Sequence, residues 1–232
     1  MFPRGSLNII DYIGITKLAV VKIVPPWKDI DMPRSRLDDL ISLAEENDGL
    51  VTSTQAREAG FTDSAISRLV RRGRLERTGR GVYRIPYTQP GRFPQYREAV
   101  LWAKGNRGPS TVALSHATAL NVYGVSDANP DTIHLTVPKS ARLRRQYPGG
   151  VVVHRADIEP EEILLHEGLP LTTIKRTVLD LLNSGARTDL IRQAINGARR
   201  EGFIDTAESK RLHRQVEAHL RHLRKTKEPL TA

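Results

Sequence analysis

Between Asp63 and Pro86 the chain reads DSAISRLVRRGRLERTGRGVYRIP, with arginine at positions 68, 71, 72, 74, 77, 80 and 84 and Glu76 as the one acid after Asp63. A guanidinium is a planar fork of donors. It grips phosphate oxygens, and it reads a guanine edge through two parallel hydrogen bonds worth about 1–3 kcal/mol of discrimination. Arg68, Arg71 and Arg72 stand at i, i+3 and i+4, so a helix places them on one face. Arg80 lies between Gly79 and Gly81, the setting of a hairpin tip. If the helix is the second of a helix-turn-helix, its first part, with Ser64, Ser67 and Arg68, points at bases. Arg71 and Arg72 are then placed for phosphates, and Arg80 for phosphate or the minor groove. The candidate DNA-binding set is Thr62, Ser64, Ser67, Arg68, Arg71, Arg72, Arg77 and Arg80. The competing reading is a charged face used for protein contact.

Other residue groups offer weaker chemistry. No phosphate-binding loop, dinucleotide fingerprint or HExxH zinc motif occurs, and HEGLP at His166 shares only two letters with the last. His213, His219 and His222 do not share one i, i+4 face, so no metal site is assigned to them. Glu208 and Lys210 form the E-x-K of nucleases, but at the start of an expected helix and without a matching upstream Asp. Ser115 and His116 are neighbours that a helix points apart, so Ser115 is expected as a helix cap. The sequence therefore suggests no catalytic residue, no metal and no cofactor.

The elements that must position the arginines follow from periodicity. Leu37, Leu40, Ile41 and Ala44 mark a first helix, stopped at Gly49. Thr52 or Ser53 caps a short second helix that ends at Gly60. Thr62 caps a third, with Ile66, Leu69 and Val70 turned inward and Gly73 closing it. Residues 75–77 and 82–85 then form a hairpin, with Thr78, Gly79, Arg80 and Gly81 as its turn. This is the order of a winged helix-turn-helix.

YTQPGRFP marks a boundary near residue 90. Beyond it the spacing predicts a helix over 95–104 and another after Ser115 stopped by Gly124. TIHLTVP is a strand whose Ile133, Leu135 and Val137 face inward and whose Thr132, His134 and Thr136 face out. GGVVVHRA is a second strand, reached through the basic loop KSARLRRQYPGG. LPLTTIKRTVLDLLNSG gives an extended piece, a threonine cap and an apolar helix. A further helix covers TDLIRQAINGARREG, and the tail carries Leu212, Val216, Leu220 and Leu223 on one stripe of a basic helix. The expected divisions are an N-terminal extension at 1–31, a winged helix-turn-helix at 32–89, an α/β domain at 90–204 and a basic helix at 205–232. The extension is rich in β-branched residues, and two readings of it stand: an ordinary N-terminal extension, or a dispensable leader ahead of a translation start at Met32.

The whole chain has 232 residues, a net charge of +10 and no cysteine. That length buries one large or two small cores. The charge suggests a polyanionic partner, although arginine-rich composition raises it everywhere. Without cysteine there are no disulfides or thiolates, and no apolar run approaches the roughly 18 residues of a membrane span. A cytoplasmic protein without membrane contact is expected.

GLVTSTQAREAGFTDSAISRLVRRGRLERTGRGVYRIP, followed by ALSHATALNVYGV, TIHLTVP, VVVHRADI and GLPLTTIKRTVLDLL, resembles the AbiEi family of antitoxins (type IV toxin–antitoxin, MenA-like) over about residues 35–204. The winged-helix part is shared by many regulators, and the later segments make the resemblance specific. It implies an α+β fold, with an N-terminal winged helix followed by a mixed α/β antitoxin domain. It implies a nucleotidyltransferase toxin partner of the AbiEii or MenT type and repression of the chain's own operon through promoter repeats in double-stranded DNA. Ser115, His116, Tyr123, Arg176 and Asp180 match recurrent family positions and are read as structural: a cap, a core residue and an i, i+4 ion pair. The leader before Met32 has no family counterpart, and the nuclease-like domain of longer relatives is missing. Arg142, Arg144, Arg145 and the basic tail are candidate contacts for the toxin or for further DNA, and a homodimer is compatible with repeat binding. The runner-up function is a stand-alone regulator whose C-terminal half senses a ligand or dimerises. A third class, an unusual kinase acting on the toxin, finds no nucleotide-binding motif.

Overall fold

The computed structural model describes residues 36–45, 47–89, 91–105, 109, 111–143 and 150–227. The leader at 1–31, Arg144 and Arg145 lie outside them. The fold is mixed α+β, and the described residues form eight α-helices and two sheets.

The first helix, α1 (Arg36–Glu45), buries Leu40 and Ala44 and places Asp38 and Asp39 in its first turn, where the helix dipole favours acids. The strand β1 (Leu50–Thr52) leads into α2 (Ser53–Glu58). Thr52 caps that helix through a capping box. Its hydroxyl accepts from Gln55 N at 3.2 Å, while Gln55 Oε1 accepts from Thr52 N at 2.9 Å. Gly60, at φ +84°, turns the chain toward α3 (Asp63–Arg71), which Thr62 caps through Ala65 N. β2 (Glu76–Gly79) and β3 (Val82–Arg84) complete a three-stranded antiparallel sheet in the order β1-β3-β2. Thr78 and Gly79 thus belong to the strand and not to the turn, which narrows to Arg80 and Gly81. Leu40, Val51, Ala56, Ile66, Leu75 and Ile85 form one apolar cluster under these elements.

α4 (Pro94–Lys104) starts on a proline, whose missing N–H costs nothing at the first helical position. Its Tyr96, Ala99 and Val100 share a second, larger cluster with Leu50 and Val82 of the first sheet. Arg97 of α4 pairs with Asp48 through Nε, and its Nη1 donates to Gly168 O at 3.2 Å.

The second sheet runs β6-β5-β4-β8-β7. It contains β4 (Ala113–Leu114), β5 (Ile133–Val137), β6 (Val151–Arg155), β7 (Ile163–His166) and β8 (Leu169–Thr172). β5 and β6 pair in parallel, as do β4 and β8. β7 and β8 form a two-residue hairpin whose Glu167 and Gly168 both take the positive φ that such turns demand. α5 (His116–Tyr123) follows β4 and ends on Gly124 in the left-handed conformation. α6 (Ile174–Asn183), capped by Thr173, buries the expected Ile174, Val178, Leu181 and Leu182. α7 (Thr188–Arg200) lies against the chain after α5 at Gly197, where a Cβ would stand 2.0 Å from Val125 O. α8 (Thr206–Lys227) brings Leu212 and Val216, both fully buried, into the larger cluster.

Two readings of β5 and α5 change. β5 was expected to be half-buried, yet Thr136 is 1% exposed and His134 is partly covered. β5 is an interior strand, and the start of α5 covers its polar face: His134 N donates to Thr118 Oγ1 at 2.9 Å, and Thr136 Oγ1 donates to Ser115 Oγ at 2.7 Å. Ser115 does occupy the N-cap of α5, but its side chain makes no cap hydrogen bond. It turns instead to His116 Nδ1, 2.9 Å away.

Candidate nucleic-acid interface

α3 separates its side chains as its periodicity demands. Ile66 is buried and Leu69 and Val70 pack beside it, while Arg68, Arg71, Arg72 and Arg74 are exposed. Among the described residues none of these four arginines has a carboxylate within ion-pair distance. Asp63, in the first turn of α3, is taken up by Arg57 Nε at 2.9 Å, which ties the end of α2 to the start of α3. The face therefore keeps its positive charge.

The smaller polar residues are more committed than the sequence suggests. Thr62 Oγ1 lies 2.9 Å from Ser64 Oγ and accepts from Ala65 N, so Thr62 works as a cap. Ser67 Oγ donates to Asp63 O at 2.8 Å, which leaves only its lone pairs for a partner. Arg77 is exposed, with Nε donating to Gly79 O at 3.4 Å. Arg80 is exposed at the turn of the hairpin. Gly81, at φ +79°, follows it, and its carbonyl accepts from Ser53 N at 2.8 Å, which fixes the hairpin to α2. Arg142, from the basic loop after β5, is exposed as well.

Residues 38–86 match the model of a known family, described as "Transcriptional regulator, AbiEi antitoxin". This arginine-bearing segment is thus similar to the AbiEi transcriptional-regulator and antitoxin family. No curated protein sequence matches the chain. Among solved structures, the chain is similar to the RV2827C protein from Mycobacterium tuberculosis at 18% identity and a TM-score of 0.43, over 77% of this chain and 80% of that one. Among the described residues no helix is long and apolar enough to cross a membrane.

A second polar cluster, which the sequence does not announce, lies beyond the matched segment. His116, His134 and His154 come from α5, β5 and β6 and stack together. The His116 and His154 ring centroids are 3.6 Å apart, and His134 Nδ1 lies 2.9 Å from His154 Nε2. Burial, with help from the two neighbouring imidazoles and Arg176, pushes the His116 pKa down to about 3. Burial also lowers His134 and His154, and Asp180 partly opposes it at His154. The expected Arg176–Asp180 pair forms at 2.9 Å, and Arg176 also binds Glu162 Oε2 at 2.5 Å and Asp157 O at 3.0 Å. Burial outweighs that guanidinium and raises the Asp180 pKa, and Asp180 Oδ2 is buried without a hydrogen-bond partner. Tyr123 is core, with its hydroxyl donating to Thr172 O at 3.0 Å. The tail histidines do not assemble with this cluster: His213 lies 3.0 Å from Asn196 Oδ1.

Proposed function

We propose that the chain is an antitoxin that represses its own operon by binding promoter DNA and neutralises a nucleotidyltransferase toxin. The observation that carries the DNA-binding half is the exposed face of α3, where Arg68, Arg71 and Arg72 stand without ion-pair partners among the described residues, inside the segment matched to the AbiEi family. In this reading residues 32–89 form a winged helix-turn-helix. α3 enters the major groove, Ser64 and Arg68 meet base edges, and Arg71 and Arg72 meet phosphates. The β2–β3 hairpin is the wing and presents Arg80 to phosphate or the minor groove, with Arg77 beside it. Thr62 and Ser67 serve chiefly to hold α3, since their hydroxyls are already engaged.

Each phosphate neutralised steepens the salt dependence by roughly 0.9 in log–log slope. Two copies on repeated half-sites give a natural route to repression, with a homodimer on DNA. Residues 90–204, with the exposed Arg142 and its sequence neighbours Arg144 and Arg145, carry the surface for the toxin, and the basic tail at 205–232 adds to it. No residue is assigned a catalytic role, and the protein acts in the cytoplasm, where its DNA and toxin are.

Footprinting on the DNA upstream of the chain's own gene, together with co-expression with the product of the adjacent gene, tests both halves. Protection of a repeated element and rescue from a toxic nucleotidyltransferase are expected. Protection without any toxic neighbour would leave a stand-alone regulator, and no protection at all would remove the repressor role.

A further inference from the structure

We propose that His116, His134 and His154 form a binding site for a divalent transition-metal ion of the zinc class, which fastens the start of α5 to strands β5 and β6. One ring nitrogen from each histidine lies within 4.8 Å of the others. The three come from separate elements, so an ion held between them cross-links the β6–β5 edge of the five-stranded sheet to its covering helix. This inference is independent of the proposed DNA and toxin binding.

Three features of the cluster suit metal ligation. First, hydroxyls stand beside the second nitrogen of two of the three rings. Ser115 Oγ lies on His116 Nδ1, and Thr132 Oγ1 lies 3.4 Å from His134 Nε2, so Nε2 of His116 and Nδ1 of His134 are left for the ion. Ligating histidines are usually oriented in this way through their second nitrogen. Second, His116 adopts φ +53°, a left-handed conformation that a residue with a Cβ rarely takes and that clusters at functional sites. That backbone turn carries the ring back over His154. Third, His116 is buried and His134 and His154 are partly covered, so an ion between them would be shielded from bulk water. Asp180, with its unpartnered Oδ2, supplies negative charge beside His154, and the opposing Arg176 guanidinium is already bound by Asp180 and Glu162.

In the ion-free arrangement a proton bridges His134 Nδ1 and His154 Nε2. Binding moves that proton to the other nitrogen of its ring, so no net proton is released. The rings also turn out of their stack to aim three lone pairs at a centre about 2.0–2.1 Å from each nitrogen. A solvent molecule completes the sphere. A set of nitrogen and oxygen donors without sulfur suits zinc, cobalt(II), nickel or copper over iron–sulfur chemistry.

The test uses the full chain, purified without a histidine tag, stripped with chelator and reloaded with zinc(II) or cobalt(II). The expected result is one equivalent of metal per chain, a higher melting temperature on reloading, and zinc-edge absorption fine structure fitting three imidazoles. Cobalt(II) should give visible d–d bands without a thiolate charge-transfer band. His134→Gln with His154→Gln should weaken binding at least 100-fold, and Ser115→Ala about 10-fold or more. His213→Gln, His219→Gln and His222→Gln together should leave the stoichiometry unchanged. Loss of the metal in that tail variant, or fine structure with fewer than three imidazoles in the wild type, would overturn the site. So would a wild type that takes up no more metal than the double variant. The absorption measurement needs no variant, so a variant that fails to fold does not decide the outcome.

Discussion

Around the three-stranded sheet Arg68, Arg71, Arg72, Arg74, Arg77 and Arg80 are exposed, and among the described residues the four from Arg68 to Arg74 have no ion-pair partner. Around the five-stranded sheet the polar groups turn inward and find one another. Arg176 is 12% exposed and bound to two carboxylates, and Ser115, Thr136, Thr172 and Thr177 are buried in hydrogen-bonded pairs. The first region leaves the guanidiniums of Arg68, Arg71 and Arg72 exposed. The second uses its polar groups on itself, apart from the histidine cluster and Asp180 Oδ2. Substitutions should therefore separate cleanly: those in the second region cost stability, and those on α3 cost binding alone.

The largest effect is expected at Leu212. It is fully buried against the core of the five-stranded region, and Leu212→Ala should cost about 2–5 kcal/mol in chemical denaturation. A cost below about 0.5 kcal/mol would mean that α8 is an appendage and not part of that core. Next comes Arg176→Ala, which strips the guanidinium from Asp180 and Glu162. It should cost about 3 kcal/mol, and Asp180→Asn in the same background should return part of it by removing the stranded charge. Arg68→Ala should leave the melting temperature nearly unchanged while lowering the preference for operator over random DNA by about 1–3 kcal/mol. Equal loss on both DNAs would assign Arg68 to phosphate. The smallest effect on stability is expected at Thr52→Ala, which removes half of the capping box and should cost about 1 kcal/mol, with no separate change in DNA preference.

The contrast also explains what could be read from the sequence. The α3 arginines, the Thr52, Thr62 and Thr173 caps and the buried stripe of α6 are local patterns, set by residues three or four apart, and the structure contains them all. The second sheet hid more. β4 has only two residues, too few for alternation to show, and β7 lies in a stretch read merely as a failed zinc motif. The histidine cluster was invisible because it depends on register. Thr136 pairs with His154 across parallel strands, which sets His154 near His134, and α5 then delivers His116 from the other side. No spacing within one element predicts that meeting. His116 and Ser115 were noticed, but an ideal helix would have pointed them apart, and the positive φ of His116 is what brings their side chains into contact.

The most direct test of the account is the salt dependence of binding to the chain's own promoter, measured by fluorescence anisotropy for the wild type, Arg71→Ala and Arg80→Ala. The account predicts a steep log–log slope for the wild type that falls by roughly 0.9 with each substitution, at unchanged melting temperature. A slope near zero in the wild type, or a slope indifferent to both arginines, would contradict it.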